Sequence, residues 1–508
     1  MKPHLPNMRV LTLESLYHFF REALFVGALL LPCLLTPFGS THAQTDAAIL
    51  VEVAPAPAAE VNPELAESLW NQHSTMESTI NSGNVANMEL NWKYLTPTPV
   101  SHAPVIDETG SAVYFADWGG TVYKVDRTSG KLIWKNKVEE PMKSWPWHGL
   151  AGTGVLAEGK LIEASVEGTA FALDTATGDV LWQTSFTEDE QAGNLSELFY
   201  HNGLIYIGVQ SVEEPMTKMK KNFKPDFQGE VVALDVNTGR TVWERPLVTP
   251  PHTGVPMWAS FALDPDLNML YFTTGNNYTG EASELSDAVI AVDATTGEMK
   301  WHNQVTQHDV WTPAHPEGPD YDFAGGAQLF VANVNGQDRK LVGAAQKSGF
   351  YHVFDAATGE KIWSTSFGYG GVQGGMHGEA SIGNGMVFGW SNNGFQIPGD
   401  PSKYPISVKA LNAATGSHKW VKNHAQPASI VPGYLANDVY FVGSLDGTLQ
   451  AYEAGSGKQL HSVKNPVPIL SWLWVRDNTL YFGGGSPKLL GKWVKPGENG
   501  MYAYTVKK

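Results

Sequence analysis

Short runs of alternating apolar and polar residues recur along the chain, and each ends in the same polar turn. The unit is a strand with a small residue near its end, then Asp, three variable or polar positions, Gly, and a second strand closing on Trp. The copies are VYKVDRTSGKLIW (122–134), AFALDTATGDVLW (170–182), VVALDVNTGRTVW (231–243), VIAVDATTGEMKW (289–301), YHVFDAATGEKIW (351–363) and VKALNAATGSHKW (408–420). A seventh, LQAYEAGSGKQLH (449–461), carries His461 in place of Trp. Alternation of period two argues for half-buried strands. The Asp carboxylate can accept from turn N–H groups, and Gly can take the left-handed φ that closes the turn. The Trp is large enough to reach a neighbouring sheet, and its indole N–H needs an acceptor once buried. Successive Trp residues lie 48, 61, 58, 62 and 57 positions apart, room for four short strands, which is one propeller blade. A final strand, MYAYTV (501–506), has no partner after it, while MELNWKY (88–94) ends its pattern in Trp92. The expectation is therefore an all-β, eight-bladed β-propeller of four-stranded antiparallel blades with tryptophan docking, its last blade closed by both chain ends. Closure leaves no free sheet edge. Seven blades is the alternative.

Composition agrees: 52 Gly and 17 Trp in 508 residues suit an all-β repeat fold. The net charge of −17 argues against a nucleic-acid partner, whose phosphates would be repelled, and suits a basic partner. At the N-terminus Lys2, Arg9 and Arg21 precede an apolar run from Ala23 to Leu35, followed by the small residues Thr41 and Ala43. This predicts a signal peptide over 1–43. The run is too short and too interrupted by Pro for a comfortable membrane span, so no integral span is expected in the mature chain. An Ala/Pro-rich linker is expected over 44–67 and the propeller over 68–508. Cys33, the single cysteine, falls in the leader. The mature chain then has no disulfide and no haem attachment motif of its own.

Four stretches depart from the minimal blade: 207–235, 257–280, 306–330 and 343–355. They carry Glu213, Glu214, Asn276, Asn277, Asp309, Asp320, Asp322 and Lys347. Carboxylates mixed with amide oxygens suit a hard cation such as Ca²⁺, and a buried Lys beside them suits a charged or carbonyl ligand. A basic run, Lys218, Lys220, Lys221 and Lys224, reads as a solvated loop that can also rim a site.

The blade signature, together with Thr-Gly-Asn-Asn-Tyr (274–278), Gly-Pro-Asp-Tyr-Asp-Phe (318–323) and Gln-Lys-Ser-Gly (346–349), resembles the pyrroloquinoline-quinone (PQQ)-dependent alcohol dehydrogenases, in particular their polyvinyl-alcohol-dehydrogenase-like branch. The similarity runs from about residue 68 to the end. It implies PQQ and Ca²⁺ as cofactors. Trp258 is implied as the ring on which the quinone stacks, and Lys347, His148 and Glu213 as further cofactor contacts. Glu213, Asn276 and Asp322 are implied as cation ligands, with Glu214 the rival of Glu213. Asp322 is implied as the catalytic base, with Asp320 and Asp309 as competitors. The chain departs from the family where vicinal cysteines are absent, where His148-Gly149 replaces an Arg-Gly pair, and where Ser101 or His102 stands for a Glu. His377, in Gly-Gly-Met-His-Gly-Glu (374–379), can line the pocket or sit in the core. The implied activity is oxidation of an alcohol, secondary or polymeric, to a carbonyl in the periplasm, with electrons passed to a separate acceptor such as a cytochrome c. A quinoprotein acting on sugars or aldehydes is one alternative. A cofactor-free scaffold of the outer-membrane-assembly-factor type is another.

Overall fold

A computed structural model describes residues 69–140, 148–394, 400–487 and 497–507. The expected signal peptide and linker lie outside the described residues. Eight four-stranded antiparallel sheets are arranged as propeller blades. In chain order, blades 1 to 7 span 105–137, 155–185, 199–246, 262–304, 328–366, 381–426 and 434–464. Blade 8 takes three strands from the C-terminal region (Trp474–Arg476, Thr479–Gly484, Gly500–Val506) and its outermost strand, Met88–Leu95, from the N-terminal side. Trp92 faces Ala503 in that pairing, so the two chain ends close the ring as the sequence pattern requires.

The tryptophan motif works between blades. Seven indoles each donate to a carbonyl in the polar turn of the following blade, from Trp92 to Arg127 O at 2.8 Å round to Trp420 to Ala454 O at 2.7 Å. The turn Gly lies flat beneath the ring: a Cβ on Gly359 would stand 2.7 Å from Trp301. The Asp of the motif holds the turn, as Asp235 does by accepting from the N–H of Asn237 and Thr238 at 3.1 and 2.8 Å. His461 breaks the pattern for a structural reason. In blade 8 the outermost strand, Met88–Leu95, comes from a separate part of the chain, so no Asp/Gly turn links it to Gly500–Val506. The 3-10 turn Val85–Asn87 takes its place, and Leu460 packs into the cluster containing Ile80, Val85 and Met88. A docking Trp at 461 would have no turn to dock on.

The segment 70–75 crosses the innermost strands of several blades. Trp70 O, Gln72 O and His73 O accept from the backbone N–H of Leu329, Ile382 and Leu435 in blades 5, 6 and 7, and Ser74–Thr75 pairs in parallel with Leu435–Ala436. His73 is buried edge-on against Trp472 at 4.9 Å, and neither ring nitrogen has a hydrogen-bond partner among the described residues. Burial lowers its pKa from 6.5 to about 3. The folded chain therefore refuses a proton that the unfolded chain accepts below about pH 6.5, and stability is lost as the pH falls toward 3. Against a His73→Phe variant, the wild type is expected to lose an additional amount of roughly 3 kcal/mol between pH 7 and about pH 4.5. Urea denaturation at the two pH values measures this, and parallel profiles for the two proteins would show that His73 charges within the fold.

Candidate active site

In each blade the strands alternate in direction. The turn between the second and third strands and the connection from one blade to the next therefore emerge at one end of the propeller, and the Asp/Gly turns at the other. The side chains singled out in the sequence come from the first end. Glu214 lies between the second and third strands of blade 3, Asn276 between those of blade 4, and Lys347 between those of blade 5. Trp258 and Asp322 lie on the connections into blades 4 and 5. Glu214, Trp258, Asp322 and Lys347 meet around a cavity of 690 Å³ whose wall also includes Trp118 and Glu379, and Asn276 is buried against Asp322. That volume suits a small-molecule or cofactor pocket.

Lys347 is the centre of the charge arrangement. Its Nζ donates to Asp322 Oδ2 at 2.7 Å and Asp320 Oδ1 at 3.0 Å, and lies 5.6 Å from the centre of the Trp258 ring. Burial opposes its charge, but Asp320, Asp322 and Glu214 outweigh that and raise its pKa above the ordinary lysine value. Asp322 Oδ1 accepts from the Asn276 backbone N–H at 2.8 Å, so each of its oxygens is oriented by one donor. Asn276 spends its side-chain N–H groups on Asn277 O and Trp311 O at 2.6 and 2.8 Å. Its Oδ1 is left buried without a partner among the described residues. Asp320 Oδ2 is likewise buried without one, and its backbone sits at φ 58, a conformation disfavoured for a residue with a side chain. Burial pushes Asp320 well above the usual carboxylate range and Glu214 up to about 7.

Two assignments change on these positions. Glu213 faces away from the cavity: its oxygens accept from the backbone N–H groups of Asp226 and Phe227 at 3.0 and 2.8 Å and from Gln191 at 3.3 Å. The reason is local. The two acids open a short helix, Glu213–Met219, and neighbouring helical positions point in different directions. Glu213 ties down its own insertion, and Glu214 reaches the cavity wall. His148 is also displaced from the expected role. Its Nδ1 lies 2.6 Å from Trp118 O, its ring is edge-on to Trp118, and it is not among the described residues lining the cavity. His102 is buried against Glu163 at 3.0 Å, whereas Ser101 is on the wall and accepts from the Trp118 indole at 2.7 Å. Of the three competing aspartates, Asp309 is a loop support, accepting from the N–H of Asp320 and Tyr321 at 3.2 and 2.8 Å. Asp320 and Asp322 reach the cavity. His377 lines it too, with its ring 5.8 Å from that of Trp258, and burial followed by the charge of Lys347 lowers its pKa to about 4. Sequence reasoning missed Trp118, Trp472 and Glu379. Their only signal was position, on the turns and connections that open at the cavity end.

Among the described residues no three carboxylate, imidazole or thiolate side chains form a ready-made metal cage. What is present is a charge deficit. One ammonium serves Glu214, Asp320 and Asp322, beside the unpartnered oxygens of Asn276 and Asp320. A hard divalent cation fits that donor set.

Two family models match the chain. A family model described as "Glucose/ethanol/alcohol dehydrogenase, beta-propeller domain" matches residues 249–367, the stretch holding Trp258, Asn276, Asp320, Asp322 and Lys347. A model described as "Outer membrane protein assembly factor BamB" matches 60–265 and 406–506, a range that includes Trp118, Glu214 and Trp258 of the cavity wall. The polyvinylalcohol dehydrogenase of Sphingopyxis sp. is 25% identical over 450 residues, covering 78% of this chain and 67% of its own length. The chain is similar to the PQQ-dependent alcohol dehydrogenases, most clearly over the blades that build its site. A polyvinylalcohol dehydrogenase from a Pseudomonas species is 24% identical over 75% of this chain, which spans 64% of that protein. The crystal structure of the quinohemoprotein alcohol dehydrogenase from Comamonas testosteroni shares the fold with a TM-score of 0.71 at 19% identity, covering 88% of this chain and 82% of that one.

Proposed function

We propose that the protein is a periplasmic quinoprotein dehydrogenase that oxidises an alcohol, secondary or polymeric, to the carbonyl and passes the electrons to a separate acceptor. The observation that carries this reading is the clasp of Lys347 on Asp320 and Asp322 beneath the face of Trp258, with the buried Asn276 oxygen unpaired beside it. When bound, PQQ supplies the two-electron oxidant and Ca²⁺ an electrophile beside it. Trp258 offers the flat apolar face a planar ring requires. Glu214, Asn276 Oδ1 and Asp322 would hold the cation, with Glu214 in the role expected of Glu213. The Asp322 carboxylate accepts the hydroxyl proton of the alcohol. The ammonium of Lys347 stabilises negative charge that builds beside it during oxidation. Trp118, Trp311 and Trp472 narrow the cavity and keep bulk water from the reacting groups.

The test is reconstitution of the full chain with PQQ and Ca²⁺, followed by dye-linked alcohol oxidation. Activity is expected to require both additions. In Glu214→Gln the Ca²⁺ concentration for half-activation should rise about tenfold or more, the loss of one charged ligand. In Glu213→Gln it should stay within about threefold of wild type, because that side chain serves the 226–227 backbone. A protein that binds neither quinone nor cation would instead be a propeller scaffold.

A further inference from the structure

Glu379 belongs to no part of the chemistry above, yet it is a buried carboxylate on the cavity wall. Its Oε1 accepts from Ser260 Oγ at 2.8 Å and from Gly326 N–H at 2.9 Å. One oxygen atom thus joins the innermost segments of blades 4, 5 and 6. Two of these segments carry the aromatic rings of the pocket. Ser260 is two residues after Trp258, and Glu379 is two residues after His377. The two rings lie 5.8 Å apart, so the hydrogen bond and the ring contact join the same two segments.

The contact is built closely. A Cβ on Gly326 would stand 2.3 Å from both Ser260 O and Ser260 Oγ, and one on Gly325 would stand 2.8 Å from Ala345 Cβ. Only glycine lets this backbone come near enough to donate to Glu379. The Ser260 hydroxyl is fixed in turn, accepting from Asn71 Nδ2 at 2.5 Å while it donates to Glu379. Asn71 is itself held: its Nδ2 also donates to Ala327 O at 2.9 Å, and its backbone O accepts from Gln328 Nε2 at 2.7 Å. Gln328 closes the circuit by donating to Ala380 O at 2.7 Å and accepting from Ala380 N–H at 3.1 Å, one residue beyond Glu379. Burial raises the pKa of Glu379, while these donors act against the rise.

We propose that Glu379 is a positioning residue that, through Ser260, Gly326 and Asn71 of the crossing segment, fixes the Trp258 and His377 rings in the register needed to grip a planar ligand. Its oxygen does by hydrogen bonding what a covalent cross-link between blades would do. The segment 70–75 then supports the pocket from behind through Asn71, while pairing with the innermost strands of blades 5, 6 and 7. The proposal rests on the quinone reading for the identity of the ligand, but the pinning itself does not.

The test uses the full chain with Glu379→Ala, Glu379→Gln, Ser260→Ala and Asn71→Ala, and two measurements. The first is amide hydrogen exchange of the cofactor-free proteins over 70–75, 256–262 and 374–380. Glu379→Ala should speed exchange about tenfold or more in all three segments together and leave blades 1 and 2 unchanged. Ser260→Ala and Asn71→Ala should do so more weakly. Glu379→Gln should stay within about threefold of wild type, since its amide oxygen still accepts both donors. The second is titration with PQQ in the presence of Ca²⁺, followed by tryptophan quenching. Affinity should fall about tenfold in Glu379→Ala and recover in Glu379→Gln. Unchanged exchange in the alanine variant overturns the proposal, as does a glutamine variant impaired as badly as alanine. Should Glu379→Ala not fold, Ser260→Ala decides by the same exchange measurement. If wild-type protein binds no quinone, the functional reading fails while the exchange result still judges the pinning.

Discussion

Replacement of Asp322 by Asn should lower kcat for alcohol oxidation by about 10³-fold, within the 10²–10⁴ range for loss of a positioned general base, while the fold is kept. The substitution is nearly isosteric, and the geometry explains why it is nonetheless severe. Asp322 meets two donors, the Asn276 backbone N–H and the Lys347 ammonium, one on each oxygen. An amide has one oxygen. It can satisfy one donor but must turn its NH₂ toward the other, so the base is lost and the clasp loosens in the same step. Asp320→Asn removes less, because Asp320 meets Lys347 through one oxygen only. A loss of about tenfold or less is expected there. Steady-state turnover with an artificial electron acceptor measures both, and PQQ titration confirms that each variant still loads. Turnover of Asp322→Asn close to the wild type, with Asp320→Asn inactive, would pass the role to Asp320.

The fold was legible because its signal is repeated and local. Each Asp/Gly turn must close for the same steric reason, and each Trp must find a carbonyl across the seam, so the seven copies, with the strands at 88–94 and 501–506, give the blade count between them. Even the exception was informative: His461 marks the one seam where the next blade has no such turn. The site was only partly legible, because it depends on direction as well as on residue type. Glu213 and Glu214 are equal in sequence, and one turn of helix decides which of them reaches the cavity. Asp309, Asp320 and Asp322 are likewise alike until the backbone between 309 and 322 is folded, when Asp309 becomes the support for the other two. Trp118 and Trp472 carry no motif, and Glu379 closes the 374–379 stretch in which only His377 drew notice. They become visible once the chain is sorted by face, since half a repeat away from every Asp/Gly turn lies the end where the cavity opens.

That sorting also explains how one chain can match two kinds of family model. The docking turns and their tryptophans sit at the far end and are indifferent to ligand, so they resemble any propeller of this construction. The dehydrogenase match falls on the connections and turns of blades 4 and 5, where the clasp is built. Scaffold and chemistry are separated in space by the two ends of each blade, and along the sequence only in part, since Trp118, Glu214 and Trp258 fall within 60–265.

Lys347→Met should have the largest effect on stability, and the effect should depend on cation. The lysine is buried between two carboxylates, with Glu214 also acting on it. Removing one partner of a buried pair leaves the other uncompensated, at a cost of about 3–5 kcal/mol. In the presence of a chelator, the unfolding free energy of the variant is expected to fall by that amount. Addition of millimolar Ca²⁺ should restore a large part of it, and should stabilise the variant more than the wild type. The reason is competition for the same oxygens: in the wild type the ammonium already neutralises part of the charge, whereas in the variant the cation alone answers it. Stabilisation grows with the logarithm of free cation over its dissociation constant, so a titration separates this from a general salt effect. Magnesium, which demands a tighter octahedral set of ligands, should restore less than calcium. Urea denaturation with and without each ion measures the difference. Equal gains for wild type and variant would mean that Lys347 and the cation do not share these carboxylates, and the charge deficit at the cavity would then belong to the protein alone.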